Sequence, residues 1–491
     1  MPTSLKYFFG NIEKYFSKFI IRLIRLPRFI RPIERKFIAI SSIVIIVFSF
    51  AAFLDRGGSK PAYGGTYTQG FVGEPKYINP ILAVTDIDLS LAKFIYSGLV
   101  RIDGAGNPVP DIASAWQFGS DGKTITFTIK PNIYWHDNTN FTASDVAYTY
   151  NLVKDQSIQS PLYAYWKDVQ IQVIDERTVT FVLKDYSPNF LWETTIGIVP
   201  EHVGRANLNK SFIGTGPYKY SKVKVKNNKI ESIILTRNAR WYSEQPPYID
   251  SVEIWLYQDR ESAIKALKSQ KIHAIDGNGV SEDWLNTYSL NLHQQSALFL
   301  NSQSDLFNDV KKRDNFINGV EPISMREINV IVDNASSLDQ KFIDCKSNWQ
   351  ARGATFNIAI DSVDAIQKNL LSKRAYDIII VPIDSSGYAD RYPYWHSSQA
   401  DAAGLNFSRY KSNDLDKLLN DQHKAIMPSE QKVLALQIDK IVAEQQLVIP
   451  LSTKTVVYDI AKNIHITEVA NGVSAANRFD NFNLWYIKTR R

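Results

Sequence analysis

Residues 123–130, KTITFTIK, alternate Thr124, Thr126 and Thr128 with Ile125, Phe127 and Ile129. A period of two marks a strand with one buried face. The stretch 177–184, RTVTFVLK, repeats the pattern with Val179, Phe181 and Leu183, and the triplets SDG and DER stand just before each run as turns. Further on the spacing becomes helical, each helix running into an apolar strand. Residues 259–276 put Ile264 and Leu267 on one helix face, 364–382 put Ile366, Leu370 and Leu371 ahead of YDIIIV, and 432–451 put Leu434, Ile438, Ile441 and Val442 ahead of another apolar run. Helix-then-strand units beside antiparallel pairs predict an α/β protein with α+β elements and more than one sheet.

The uncharged, strongly apolar run 37–54 (FIAISSIVIIVFSFAAFL) has 18 residues, enough to cross a hydrocarbon core of roughly 30 Å as a helix. Residues 1–36 carry nine Lys/Arg against Glu13 and Glu34, a net +7. The positive-inside rule keeps that basic segment cytoplasmic and sends the rest across a single-pass signal anchor, so the main domain lies outside the membrane, extracellular or periplasmic. The other reading is a long signal peptide cut near Ser49-Phe50-Ala51, a poor small-x-small site. Because the formal charge of the whole chain is +6, everything beyond residue 54 sums to −1. No basic excess is left outside the tail to attract nucleic acid.

At 491 residues the chain has room for two or three cores. A single cysteine, Cys345, excludes an internal disulfide and any multi-thiolate metal site. Neither cofactor nor metal is expected. Residues 55–64 are Gly-, Pro- and polar-rich and form a linker.

Three stretches carry candidate chemistry. In IYWHDNTNFTASDVAYTY (133–150), His136 and Asp137 are adjacent, and adjacent side chains on extended backbone point to opposite faces, a poor grip for one ion. TASD (142–145) reads as a capping box opening a helix with Val146, Tyr150 and Val153 on one face, so HDNTN is a strand-to-helix turn. GTGPYKY (214–220) lacks the Lys-Ser/Thr of a phosphate loop and puts Pro217 where an anion needs an N–H, so it reads as a tight turn. DSSGYADRYPYWHSSQ (384–399) holds Ser, His and Asp without a G-x-S-x-G elbow. It follows an apolar strand and combines Gly387 and Asp390 with Tyr388, Tyr392, Tyr394 and Trp395, the composition of a binding loop.

EPKYINPI (74–81), residues 94–146, IVPEHV (198–203), GTGPYKY, NARWY (238–242) and GLNFSRYKSNDLDKLL (404–419) together resemble, in order and spacing, the bacterial solute-binding proteins of peptide-type ABC importers. The resemblance implies a two-lobed periplasmic-binding-protein-like fold whose halves close over a ligand through a hinge of two strands. Residues 65–290 would form lobe 1, with an inserted subdomain at about 110–200. Residues 291–450 would form lobe 2, and 451–491 would return to lobe 1. It further implies a monomeric, non-enzymatic receptor that captures a small molecule or peptide and delivers it to an ABC transporter permease. Asp390, in the loop with Tyr388 and Ala389, would pair with a peptide's amino group, while Val84, Thr85 and Asp86 would lie along the ligand backbone.

The chain departs from typical relatives in its own membrane anchor, in a short segment before ISMREINVIV, and in Arg391 where an aromatic would stand. Two other readings stay open: a membrane-anchored sensor or scaffold that has lost transport, and an extracellular hydrolase using carboxylates or a Ser-His pair, with Ser386 and His396 as its candidates.

Overall fold

The computed structural model describes residues 60–490 apart from 104–105, 188, 209–210, 228, 278–279, 320–321, 324–326, 335, 362–365, 367–373, 386–389, 402–403, 426–427 and 468–473. The basic segment 1–36, the apolar run 37–54 and most of the helix expected before YDIIIV lie outside the described residues. Among the described residues no helix is long and apolar enough to cross a membrane.

The main elements run in the order β1 (Thr66–Val72), α1 (Asp86–Ile95), β2 (Ala113–Phe118), β3 (Thr124–Ile129), α2 (Ala143–Lys154), β4 (Gln170–Asp175), β5 (Thr178–Val182), β6 (Tyr218–Lys226), β7 (Lys229–Arg237), β8 (Ser251–Tyr257), α3 (Arg260–Lys268), β9 (Ala274–Gly277) and β10 (Leu285–Leu300). They continue with α4 (Val310–Asn318), β11 (Glu327–Asp333), α5 (Gln340–Ala351), β12 (Thr355–Asp361), β13 (Ile378–Asp384), α6 (Asn413–Lys424), α7 (Pro428–Glu444) and β14 (Val448–Ala461). Among the described residues a ten-stranded mixed sheet has the order β12-β11-β13-β10-β14-β9-β1-β8-β7-β6, and a four-stranded antiparallel sheet the order β2-β3-β5-β4.

The period-two stretches are β3 and β5, paired antiparallel with Phe127 opposite Val179. Their apolar face is buried together with Val146, Tyr150 and Val153 of α2, all at 0% exposure. This core extends through Leu91 and Phe94 of α1 to Phe479, Phe482 and Trp485 near the C-terminus. A second core sandwiches the other end of the large sheet. Phe299 of β10 and Ile379 of β13 face Leu415 and Leu419 of α6 with Ile438 of α7. On the opposite face Leu298 and Ile380 pack with Phe316 of α4 and Trp349 of α5. Burial on both faces is why these strands read as unbroken apolar runs. In α7 the buried stripe is Ala435, Ile438 and Val442, with Leu434 and Ile441 flanking it.

The strands β10 and β14, 16 and 14 residues long, belong to both ends of the sheet. They pair in one register from Leu285↔Ala461 to Asn291↔Thr455, then resume at Gln295↔Thr453. Leu292, His293 and Gln294 thus stand opposite Lys454 alone, a bulge that breaks the ladder between the two cores and bends the strand locally.

Candidate functional site

The wall nearest the bulge is built by α1. Thr85 caps this helix, its Oγ1 accepting from Asp88 N at 3.2 Å. The Asp88 carboxylate accepts in return from Thr85 N at 3.3 Å and from Lys76 N and Tyr77 N at 2.8 and 3.2 Å. That clamp fixes the EPKYINPI turn against the helix. Leu91, Phe94 and Ile95 go into the core. Ala83, Leu89, Ala92 and Lys93 are left to line a cavity of about 370 Å³.

Opposite α1 lies the short helix Phe190–Glu193, where Phe190 and Leu191 are buried and Trp192 and Glu193 border the cavity. Gly197 lets this segment approach closely, since a Cβ there would stand 2.6 Å from the Tyr96 Cβ. His293, from the bulge, and Asp384, at the end of β13, complete the lining from the other side. Burial pushes the Glu193 carboxyl up to about 7. Lys93, the nearby cation on the α1 wall, is held by Asp480 Oδ1 at 2.6 Å.

Asp390 lies off this lining. Its Oδ2 is 3.0 Å from His423 Nδ1, and its Oδ1 accepts from Tyr392 N at 2.9 Å. Arg391 turns to Asp439, its Nε and Nη2 donating to the two carboxylate oxygens at 3.1 Å each, so it fastens the loop to α7. Tyr186, from the β5 side, donates its hydroxyl to the Ala425 carbonyl and sets its ring edge-on to His423 at 5.9 Å. Burial, reinforced by the Asp390 charge, pushes the Tyr186 hydroxyl up to about 12.

The residues expected from sequence therefore divide. Val84 is 54% exposed. Thr85 is spent on the helix cap, and Thr85 and Asp86 line a separate cavity of about 420 Å³ with Arg260 and Asp276. Tyr388, Ala389 and Ser386 lie outside the described residues. His396 closes a short turn, its Nδ1 accepting from Ser398 N at 3.1 Å while its ring stacks on Tyr392 at 4.1 Å. Sequence reasoning missed Glu193, Trp192 and His293. The available signal was a lone carboxylate inside the otherwise uncharged stretch FLWETTIGIVP.

His136 and Asp137 do point apart. His136 Nδ1 accepts from Gly214 N at 3.2 Å and its Nε2 lies 3.1 Å from the Gly216 carbonyl, while Asp137 Oδ2 meets His202 Nε2 at 2.7 Å. The GTGPYKY turn is thus bolted to the HDNTN turn, with Gly214 so close to Ile95 that a Cβ would stand 1.9 Å from its carbonyl oxygen. Burial lowers His136 to about 4 and keeps it neutral. Among the described residues no group of three or more His, Cys, Asp or Glu could hold a metal ion.

Residues 107–315 match the family described as bacterial extracellular solute-binding proteins, family 5 Middle. A Brucella ovis protein named for ABC transporter peptide binding is 30% identical over 235 residues, 44% of this chain and 43% of that protein. The oligopeptide-binding protein AppA of Bacillus subtilis is 27% identical over 233 residues, 44% of this chain and 42% of its own. The matched part of the chain spans less than half the length of these relatives. The ABC transporter substrate-binding protein CtaP from Listeria monocytogenes shares the fold at a TM-score of 0.64 and 19% identity, over 87% of this chain and 99% of that one. Over residues 107–315, less than half of its length, the chain is therefore similar to the bacterial extracellular solute-binding proteins of family 5, and it shares its overall fold with CtaP.

Proposed function

We propose that the chain captures a small solute, a short peptide before others, by closing two lobes, and delivers it to the permease of an ABC importer. The observation that carries this reading is the bulge at Leu292–Gln294, which interrupts the two strands common to both cores beside a cavity lined from both sides. A ladder whose register shifts twice between Asn291 and Ala297 is where two halves can rotate while each keeps its own core. In this reading residues 65–290 with 451–491 are one lobe, 291–450 the other, and the four-stranded sheet with α2 is the inserted subdomain at about 110–200. A ligand that touches both lobes better when they are shut draws the equilibrium to the closed form.

Two sequence relatives named for peptide or oligopeptide binding favour a peptide. An extended peptide would pair its main chain beside Val84, Thr85 and Asp86, with its ammonium exchanged for His423 on Asp390. Tyr388 and Ala389 would border that amino end. Residues 37–54 would hold the receptor at the membrane and raise its concentration near the permease. Native mass spectrometry of the full chain purified in detergent tests the reading: short peptides released on denaturation support it. A chain that comes off empty and shows no change of scattering radius with any peptide mixture overturns it.

A further inference from the structure

We infer that Glu193 is the anchor through which this cavity takes a cationic side chain, an ammonium or guanidinium on an aliphatic stem. The inference rests on the capture reading above and adds the chemistry of the ligand. Among the described residues the Glu193 carboxylate has no hydrogen bond or ion pair, yet the turn that carries it is pinned by the buried Phe190 and Leu191. The walls beside it, Leu89, Ala92, Leu162 and Ile196 with the ring of Trp192, are apolar and suit an alkyl stem. Lys93 is already neutralised by Asp480, and Asp384 adds a second carboxylate to the lining, so an anionic group would meet repulsion here.

A half-buried carboxylate without a partner is costly in its charged form. Its high affinity for a proton, with a carboxyl at about 7, reflects that cost. A cation supplying two N–H donors restores what burial removed, through charge-assisted bonds stronger than neutral ones. Binding would then expel the proton that the empty site holds.

The test is calorimetry on the full chain in detergent at neutral pH with three probes: Ala-Lys-Ala, Ala-norleucine-Ala and 1,5-diaminopentane. The lysine peptide is expected to bind about 10- to 100-fold more tightly than its uncharged isostere, with proton release read from the slope of the observed heat against buffer ionisation enthalpy. In Glu193→Gln both the preference and the proton release are expected to vanish, with folding checked by circular dichroism. Equal affinity for the lysine and norleucine peptides, or a lysine preference untouched by Glu193→Gln, overturns the inference and leaves peptide capture standing. Glu193-dependent binding of diaminopentane alone upholds the inference and removes the peptide reading. Failure of both cationic probes to bind overturns the inference.

Discussion

His423 Nδ1 stands 3.0 Å from Asp390 Oδ2, so the carboxylate expected to hold a ligand ammonium already has a nitrogen partner. With Tyr392 N on the other oxygen at 2.9 Å, Asp390 is oriented by its own loop and does not await a ligand to fix it. An arriving ammonium must compete with the imidazole for the same oxygen.

That competition sets opposite expectations for the two partners. Asp390→Ala should weaken binding of Ala-Ala-Ala by about 10- to 100-fold, the worth of a charge-assisted hydrogen bond, while leaving its N-acetylated form unaffected. His423→Ala, which frees the carboxylate, should tighten the free-amine peptide and again spare the acetylated one. Titration calorimetry of the two peptides against both variants decides the matter. Parallel losses for both peptides would make Asp390 a purely structural residue.

Tyr186 bridges from the β5 side to the α6–α7 connection through the Ala425 carbonyl, with Gln431 Nε2 3.4 Å from the same hydroxyl. Tyr186→Phe keeps the ring beside His423 and deletes only the donor. A net hydrogen bond is worth about 0.5–1.5 kcal/mol, so the variant should shift the open–closed balance about 2- to 10-fold toward open. Small-angle scattering of the ligand-free chain should then give a larger radius for the variant. Identical profiles would place this contact outside the closing motion.

Much of this architecture is legible in the chain because burial imposes a period. Ile125, Phe127 and Ile129 announce a one-sided strand, and all three are at 3% exposure or below. The unbroken Ile378–Val381 run announces a strand covered on both faces. His293 could not be found that way. Its place depends on three residues of β10 bulging opposite one residue of β14, and a register shift leaves no mark in the alternation of either strand. Glu193 faces Leu89 across a cavity whose walls are about a hundred positions apart in sequence, so only the fold brings them together. Asp88 is intermediate: the Thr85–Asp88 spacing fits a capping box, but its extra bonds to Lys76 and Tyr77 do not follow from spacing.

Asp88 carries the geometry of the α1 wall. Asp88→Ala removes the cap partner and strands the N–H groups of Lys76, Tyr77 and Thr85, of which several sit in partly buried backbone. Loss of a cap costs about 0.5–2 kcal/mol and each stranded buried donor about 1–3 kcal/mol, offset where water reaches it. We expect about 2–4 kcal/mol from urea denaturation. Asp88→Asn, which keeps one acceptor, should recover about half. A loss below 1 kcal/mol would show that the turn finds other acceptors.

The pH dependence of stability should contain two opposed slopes that nearly cancel. His136 is held neutral down to about 4 in the fold, whereas an unfolded histidine takes its proton near 6.5. Between those values the unfolded chain binds more protons, so this group adds stability as pH rises, about 3 kcal/mol in all. Glu193 keeps its proton up to about 7 in the fold, whereas an unfolded glutamate releases it near 4.3. Over that window the folded chain binds more protons, so this group's contribution is present at low pH and lost as pH rises, by about 4 kcal/mol. Glu193→Gln should therefore steepen the rise of stability from pH 4.5 to 7 relative to the parent and make the protein more stable than the parent at pH 8. His136→Gln should leave stability falling as pH rises over this window, whatever it does to absolute stability. Urea midpoints across pH 4.5–8 for the three proteins read both signs directly. If Glu193→Gln tracks the parent at every pH, its carboxylate is solvated in the fold, and the cavity has no uncompensated charge to offer a ligand.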